Sequence, residues 1–262
     1  MNRILSLFER KPSGVLSVYM TAGFPQPDDT LEVICALEEQ GADMIEIGIP
    51  FSDPMADGPV IQHSSSVALN NGMTLKKLFA QLEDVRSKAA LPLVMMGYLN
   101  PVMQYGVENF CRHCAAVGVD GVIIPDLPFD EYLREYKPLA DKYGLCFIML
   151  ITPETSADRI RLIDEHTDGF IYMVSTASTT GAKDAFDDKT IAYFRRINTM
   201  GLKHPRLIGF GISNRATCEA AMAYAGGAIV GSSFIQALMQ NGDIRRAVTE
   251  TFSRLGYPRN AV

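Results

Sequence analysis

Asp43-Met-Ile-Glu-Ile-Gly-Ile49 runs directly into Pro50-Phe-Ser-Asp-Pro-Met-Ala-Asp57-Gly-Pro59. The first seven residues read as a short strand, apolar from Met44 to Ile49 except at Glu46 and Gly48. A strand with one face in water would alternate apolar and polar residues. A near-continuous apolar run belongs to a parallel sheet covered on both sides. An ionised carboxylate in the middle of such a strand is costly unless it is paired or its pKa rises. The loop that follows holds three prolines, one glycine and two more carboxylates, Asp53 and Asp57. Proline makes such a loop rigid, and rigid loops at strand ends are where chemistry is carried. Read singly, Glu46 suits a core acid paired with a distant Arg or Lys, and the two aspartates suit turns. Read together, a carboxylate in a buried strand and another on the adjoining loop form a natural acid/base pair.

Outward from this segment the pattern repeats. Leu16–Met20, Asp43–Ile47, Leu93–Gly97, Gly121–Ile124, Leu145–Leu150, Gly169–Val174, Arg206–Phe210 and Ala228–Val230 are eight candidate strands, each followed by a helical stretch. Leu31, Ile34, Cys35 and Leu37–Glu38 line one predicted helix, and Leu75, Leu78, Phe79 and Leu82 another. Strict β-α alternation indicates one α/β unit with right-handed crossovers. Eight pairs over 262 residues fit a (β/α)8 TIM barrel. The architectural alternative is an open doubly wound sheet, but no G-x-G-x-x-G opens a helix after the first strand. With no linker or composition shift, residues 1–262 read as a single barrel domain, with an extra amphipathic helix over Met1–Lys11.

Composition narrows the class further. Apolar residues make up 47% and charged residues 21%, which suits a globular chain with a large core. A net charge of −6 gives no basic footprint, so nucleic acid is not an expected partner. No apolar run is long enough for a bilayer and no leader pattern opens the chain, so a cytoplasmic location is expected. The five cysteines are scattered, which argues against a disulfide framework. Cys111-Arg-His-Cys114 lacks a second Cys/His pair and reads as a helix whose Phe110, Cys114 and Val117 share a face.

In a barrel of this kind the active site lies at the C-terminal ends of the strands, and phosphate is often held after the seventh and eighth. Ile208-Gly-Phe-Gly-Ile-Ser213 and Gly231-Ser-Ser-Phe234 occupy those places. Glycine allows backbone N–H groups to approach an anion, and a helix N-terminus adds a favourable dipole. Both segments also suit tight turns. The loop after the sixth strand, Ser175 to Phe186, is long and rich in small residues, as a lid would be.

The fourteen residues Glu46–Pro59 closely resemble the E-x-G-x-P-F-S-D-P-x-A-D-G-P signature of the tryptophan synthase alpha subunit family. Tyr19-Met-Thr-Ala-Gly-Phe-Pro25, Tyr98-Leu-Asn-Pro-Val, Pro125-Asp-Leu-Pro128, Thr180-Gly181 and Gly209-Phe-Gly-Ile-Ser213 resemble its other loop motifs, so the likeness covers essentially the whole chain. It implies a barrel that cleaves indole-3-glycerol phosphate to indole and glyceraldehyde 3-phosphate without a metal or organic cofactor. It also implies a beta subunit partner in an α2β2 heterotetramer. By resemblance, Glu46 is the general acid/base carboxyl and Asp57 engages the indole N–H. Tyr172 is a site tyrosine or simply an interior aromatic, Tyr19 lines the indole pocket, and Asp53 serves partner contact and loop coupling. Gly181, Gly211, Gly231 and Ser232 are the implied phosphate contacts. The family's sixth loop usually reads S-x-x-G-V-T-G, whereas Ser178 and Thr179 replace Gly-Val here, which predicts a stiffer hinge. Two rival readings remain at this stage: another phosphate-binding barrel such as an isomerase, and a subunit that chiefly activates its partner.

Overall fold

The fifth strand decides the topology. In the computed structural model, which describes residues 2–175 and 185–257, it is broken into Cys146–Phe147 and Met149–Ile151, together called β5 here. The other strands are β1 (Val15–Thr21), β2 (Met44–Gly48), β3 (Leu93–Met96), β4 (Gly121–Ile123), β6 (Ile171–Val174), β7 (Arg206–Gly209) and β8 (Gly227–Val230). Every pairing is parallel, β1 bonds both β2 and β8, and the order runs round from β4 to β6. The first piece of β5 pairs with β4 (Gly121↔Cys146) and the second with β6 (Met149↔Ile171). Ile148 N–H still donates to Val122 O at 3.0 Å, so the handover takes one residue. One stave thus serves both neighbours and the sheet closes on itself, which removes the open-sheet alternative.

Side chains alternate as the pleat requires. Leu16, Val18 and Met20 pack outward against the helices, while Val15, Met44, Val94, Cys146, Leu207 and Ile229 fill the interior. The helix Arg3–Arg10 closes the bottom, its Ile4 and Leu7 belonging to that inner cluster. Its seat exists because β4 and β6 are approached by glycines: a Cβ at Gly121 or Gly169 would stand 2.7 or 3.0 Å from Ile4. Asn2 caps this helix through Ile4 N–H and donates to Asp120 O and Gly144 O at 2.7 and 3.0 Å.

Three carboxylates tie the same end together. Asp120 accepts from Arg3 Nη1 (3.0 Å), Arg86 Nη2 (2.7 Å) and Leu93 N–H (3.0 Å). Asp43 accepts from Lys11 Nζ, Leu16 N–H and the Tyr257 hydroxyl, all within 2.8 Å. Asp164 accepts from Lys203 and His204 N–H groups at 2.8 and 2.9 Å.

The helices follow the predicted periods with one rotation. Leu75, Leu78, Phe79 and Leu82 are buried as expected, but Thr30–Glu39 buries Val33, Ile34, Ala36 and Leu37 while Leu31 and Cys35 lie partly exposed. Val33 and Ala36 take inward positions because the helix packs against Ile244–Leu255 as well as against β1, which composition alone does not reveal. Phe110, Cys111 and Cys114 pack inward from Val107–Ala116, and burial pushes the Cys111 thiol up to about 11 and raises that of Cys114, so both stay protonated. Among the described residues no helix is long and apolar enough to cross a membrane.

Candidate active site

Glu46 sits in the middle of β2 with its side chain wholly buried. The distant Arg or Lys that a structural role would require is not its partner. Its Oε1 accepts one hydrogen bond, from the Ser17 hydroxyl of β1 at 3.0 Å, and its Oε2 has no partner among the described residues. Desolvation lifts its pKa from 4.5 to about 8, against a smaller lowering by Ser17. At neutral pH the group is a carboxylic acid with one oxygen unengaged.

Asp57 reaches the same region from the loop after β2. Tyr98, at the exit of β3, fixes it: the phenol donates to Asp57 Oδ2 at 3.1 Å and accepts from Ala56 N–H at 3.0 Å. Tyr98 also packs on Phe51, their ring centroids 5.3 Å apart, so both ends of the proline-rich loop rest on one aromatic. Partial burial raises the Asp57 pKa from 3.8 to about 6, with the Tyr98 hydrogen bond lowering it. Asp57 is half-buried, yet still ionised at neutral pH. Asp53, by contrast, is exposed; its carboxylate accepts from the neighbouring Ser52 hydroxyl, beside the exposed Met55.

Two tyrosines complete the interior. A Cβ at Gly48 would stand 2.0 Å from the Tyr19 hydroxyl, and one at Gly209 would stand 2.2 Å from that of Tyr172. Each ring therefore lies across the next strand, on a floor that only glycine leaves open. Burial, followed by the Asp57 carboxylate, raises the Tyr19 phenol. Burial, followed by Glu46, raises that of Tyr172. Both phenols stay protonated and within electrostatic reach of the two carboxyls.

At the ends of β7 and β8 the backbone turns sharply. Phe210 and Gly211 both adopt positive φ, 67° and 72°, and Phe210 O accepts from the Ser175 hydroxyl at 2.7 Å. A positive φ is costly for a residue as bulky as phenylalanine and is held by its surroundings. Gly231 precedes the helix Ser232–Asn241, whose first turn has no side-chain cap. Ser233 Oγ to Ile212 O, 3.5 Å, joins the two loops. Gly211, Gly231 and Ser232 are thus brought to one rim, whereas Gly181, Ser178 and Thr179 lie outside the described residues.

Sequence reasoning overlooked Ser17 and gave Tyr98 no role beyond a motif. Ser17 is a small polar residue on the inward face of an otherwise apolar strand, two positions before Tyr19, and that was its available signal.

A model of the tryptophan synthase alpha chain family matches residues 6–258. The chain belongs to the tryptophan synthase alpha chain family. It is similar to the tryptophan synthase alpha chain of Parabacteroides distasonis, 57% identical over 97% of this chain and 99% of that one. That of Phocaeicola vulgatus is 58% identical, with the same coverage. Among solved structures, the tryptophan synthase alpha subunit of Legionella pneumophila superposes with a TM-score of 0.88 at 32% identity, covering 97% of each chain. A tryptophan synthase structure from M. tuberculosis, in an aminoacrylate-bound form, gives 0.84 at 29% identity, covering 97% of this chain and 98% of that one. The tryptophan synthase alpha family comprises lyases of the alpha reaction, and that retro-aldol cleavage of indole-3-glycerol phosphate is this chain's activity.

Proposed function

We infer that Glu46 is the proton-transfer carboxyl of the alpha reaction and that Asp57 stabilises the charge that develops on indole. One observation carries this reading: a wholly buried, protonated carboxyl with an unengaged oxygen, near an ionised one. Indole C3 is a poor leaving group until it is protonated. Glu46 delivers a proton to that carbon, and positive charge builds at the ring nitrogen, where Asp57 meets it as the N–H donates. The resulting Glu46 carboxylate takes the proton of the glycerol hydroxyl as the C–C bond breaks. Indole and glyceraldehyde 3-phosphate leave, and Glu46 is again an acid. The indole ring is the electron sink, so the step calls for no metal or organic cofactor.

Tyr19 forms a wall of the indole pocket, and Tyr172 stands beside Glu46, where its phenol helps hold substrate in register. The phosphate is held by backbone N–H groups at Gly211, Gly231 and Ser232, with Gly181 supplying a further one. The uncapped start of Ser232–Asn241 supports this, since unsatisfied N–H groups and the helix dipole both favour an anion. This is how a chain of net charge −6 takes a phosphorylated substrate. The exposed Asp53 and Met55 suit contact with a beta subunit, to which indole passes within an α2β2 assembly. The whole of residues 1–262 acts as one barrel domain, working in the cytoplasm.

The test is indole release from indole-3-glycerol phosphate by the wild-type chain and by Glu46→Gln, each with and without a beta subunit. Wild-type release that rises with the partner and is lost in Glu46→Gln supports the reading. Near-normal release by Glu46→Gln removes Glu46 from its role.

A further inference from the structure

Ser17 is the sole hydrogen-bonding contact of the Glu46 carboxyl among the described residues, and both side chains are fully buried. Its neighbours on β1, Leu16 and Val18, face the outer layer and are apolar. Nothing about packing the strand requires a hydroxyl at this position. A buried hydroxyl without a good partner is itself unfavourable, so it is kept where it has a use.

A serine hydroxyl donating to one carboxyl oxygen favours the proton on the other. In a carboxylic acid the carbonyl oxygen is the better acceptor and the other oxygen carries the hydrogen. With Ser17 as the donor to Oε1, 3.0 Å apart, Oε1 acts as the carbonyl oxygen and Oε2 carries the hydrogen. Oε2 is also the atom left without a partner. We propose that Ser17 is a positioning residue for the alpha reaction, holding Glu46 by Oε1 so that its proton is presented on Oε2. This rests on the assignment of Glu46 as the proton-transfer group.

The same bond moderates acidity. A hydroxyl hydrogen bond stabilises the carboxylate, so it offsets part of the rise that burial imposes. The other groups with an electrostatic hold on this site are the Tyr19 phenol on β1, the Tyr172 phenol on β6, Asp57 on the loop after β2 and Tyr98 at the exit of β3. The phenols remain neutral throughout the working range, and Asp57 is ionised on the alkaline side. Without Ser17 no hydrogen bond to the Glu46 carboxyl remains among the described residues.

The experiment compares the pH profile of kcat/KM for indole release, in the presence of beta subunit, for wild type, Ser17→Ala, Ser17→Thr and Glu46→Gln. In parallel, the Glu46 carboxyl is titrated by 13C NMR in the folded chain. Ser17→Ala is expected to lower kcat about tenfold with little change in KM, and to move both the alkaline limb and the carboxyl titration up by about one pH unit. Ser17→Thr, which keeps the hydroxyl, is expected to restore both toward wild type. A Ser17→Ala protein that keeps the wild-type limb and carboxyl titration, while Glu46→Gln is inactive, overturns the proposal alone. If Glu46→Gln keeps its turnover, the assignment of Glu46 falls first. The carboxyl titration still reports on Ser17 if Ser17→Thr packs too poorly for kinetics.

Discussion

The two ends of the barrel treat carboxylates in opposite ways. At the bottom, Asp120 gathers two guanidinium groups and a backbone N–H, and Asp43 an ammonium, a phenol and a backbone N–H. Nearer the top, Glu46 is wholly buried and has one hydroxyl, and Asp57 has one phenol. A fold that surrounds its lower carboxylates with donors could do so above as well. Leaving Glu46 nearly bare raises its pKa and stores an unfavourable burial that the rest of the molecule offsets. The lower end supplies stability; the upper end spends some of it on a proton that can be moved.

The sharpest way to break this contrast is to neutralise one carboxylate at each end. Glu46→Gln is expected to cut indole release by about a thousandfold or more, within or beyond the usual range for a lost general acid/base. It is also expected to fold at least as stably as wild type. The sign follows from its folded pKa, about 8, standing above the ordinary 4.5. Wild type is favoured most below about pH 4.5 and loses stability as pH climbs through 8, because the unfolded chain releases a proton that the folded one keeps. Urea denaturation at pH 5 and at pH 8 should therefore show the variant gaining on wild type by about 2 kcal/mol or more. A variant less stable than wild type at pH 8 would count against the contrast.

Asp120→Ala is the opposite experiment. It strands Arg86 and frees the Leu93 N–H, and should cost about 3 kcal/mol. Turnover per folded molecule should be little altered. Large losses of turnover in a fully folded variant would show that the two ends are coupled.

The pH profile of kcat/KM sharpens the comparison at the top alone. It should rise through about 6 as Asp57 ionises and fall above about 8 as Glu46 loses its proton. A profile flat between pH 5 and pH 9 would separate these carboxyls from the chemistry. Tyr98→Phe removes a hydrogen bond that favours ionised Asp57, so the acid limb should move upward and kcat/KM fall about fivefold at pH 7. The smallest effect is expected at Gly211→Ala, where positive φ opposes a side chain. It should cost about 1 kcal/mol of stability and raise KM a few-fold, with inorganic phosphate inhibition weakened in parallel. Unchanged phosphate inhibition would remove that loop from the phosphate site.

Much of this was legible in the sequence, for an identifiable reason. Met44–Ile49 and its seven counterparts are local apolar runs, and a run buried on both faces announces a covered parallel strand without knowledge of its neighbours. The Pro50–Pro59 loop declares its rigidity and its charge in the same way. What escaped depends on partners far away in the chain. The break at Ile148 arises because one stave must bond β4 and β6 in turn. Ser17 acquires its meaning only when β1 lies beside β2. Asp57 owes its anchor to Tyr98, which comes from the next β-α unit. The outward rotation of Leu31 and Cys35 likewise reflects how one helix packs against Ile244–Leu255 as well as against β1.

The plug at the bottom has a consequence for how the molecule comes into being. Asn2 and Arg3 bond to Asp120 and Gly144, partners 117 to 142 positions away. As the chain leaves the ribosome, Arg3–Arg10 emerges long before its seat against Gly121 and Gly169 exists. Its apolar stripe must wait in solvent for more than half of translation, and such long-range closure slows folding. The helix Arg3–Arg10 can therefore dock only after the strands that seat it have been made.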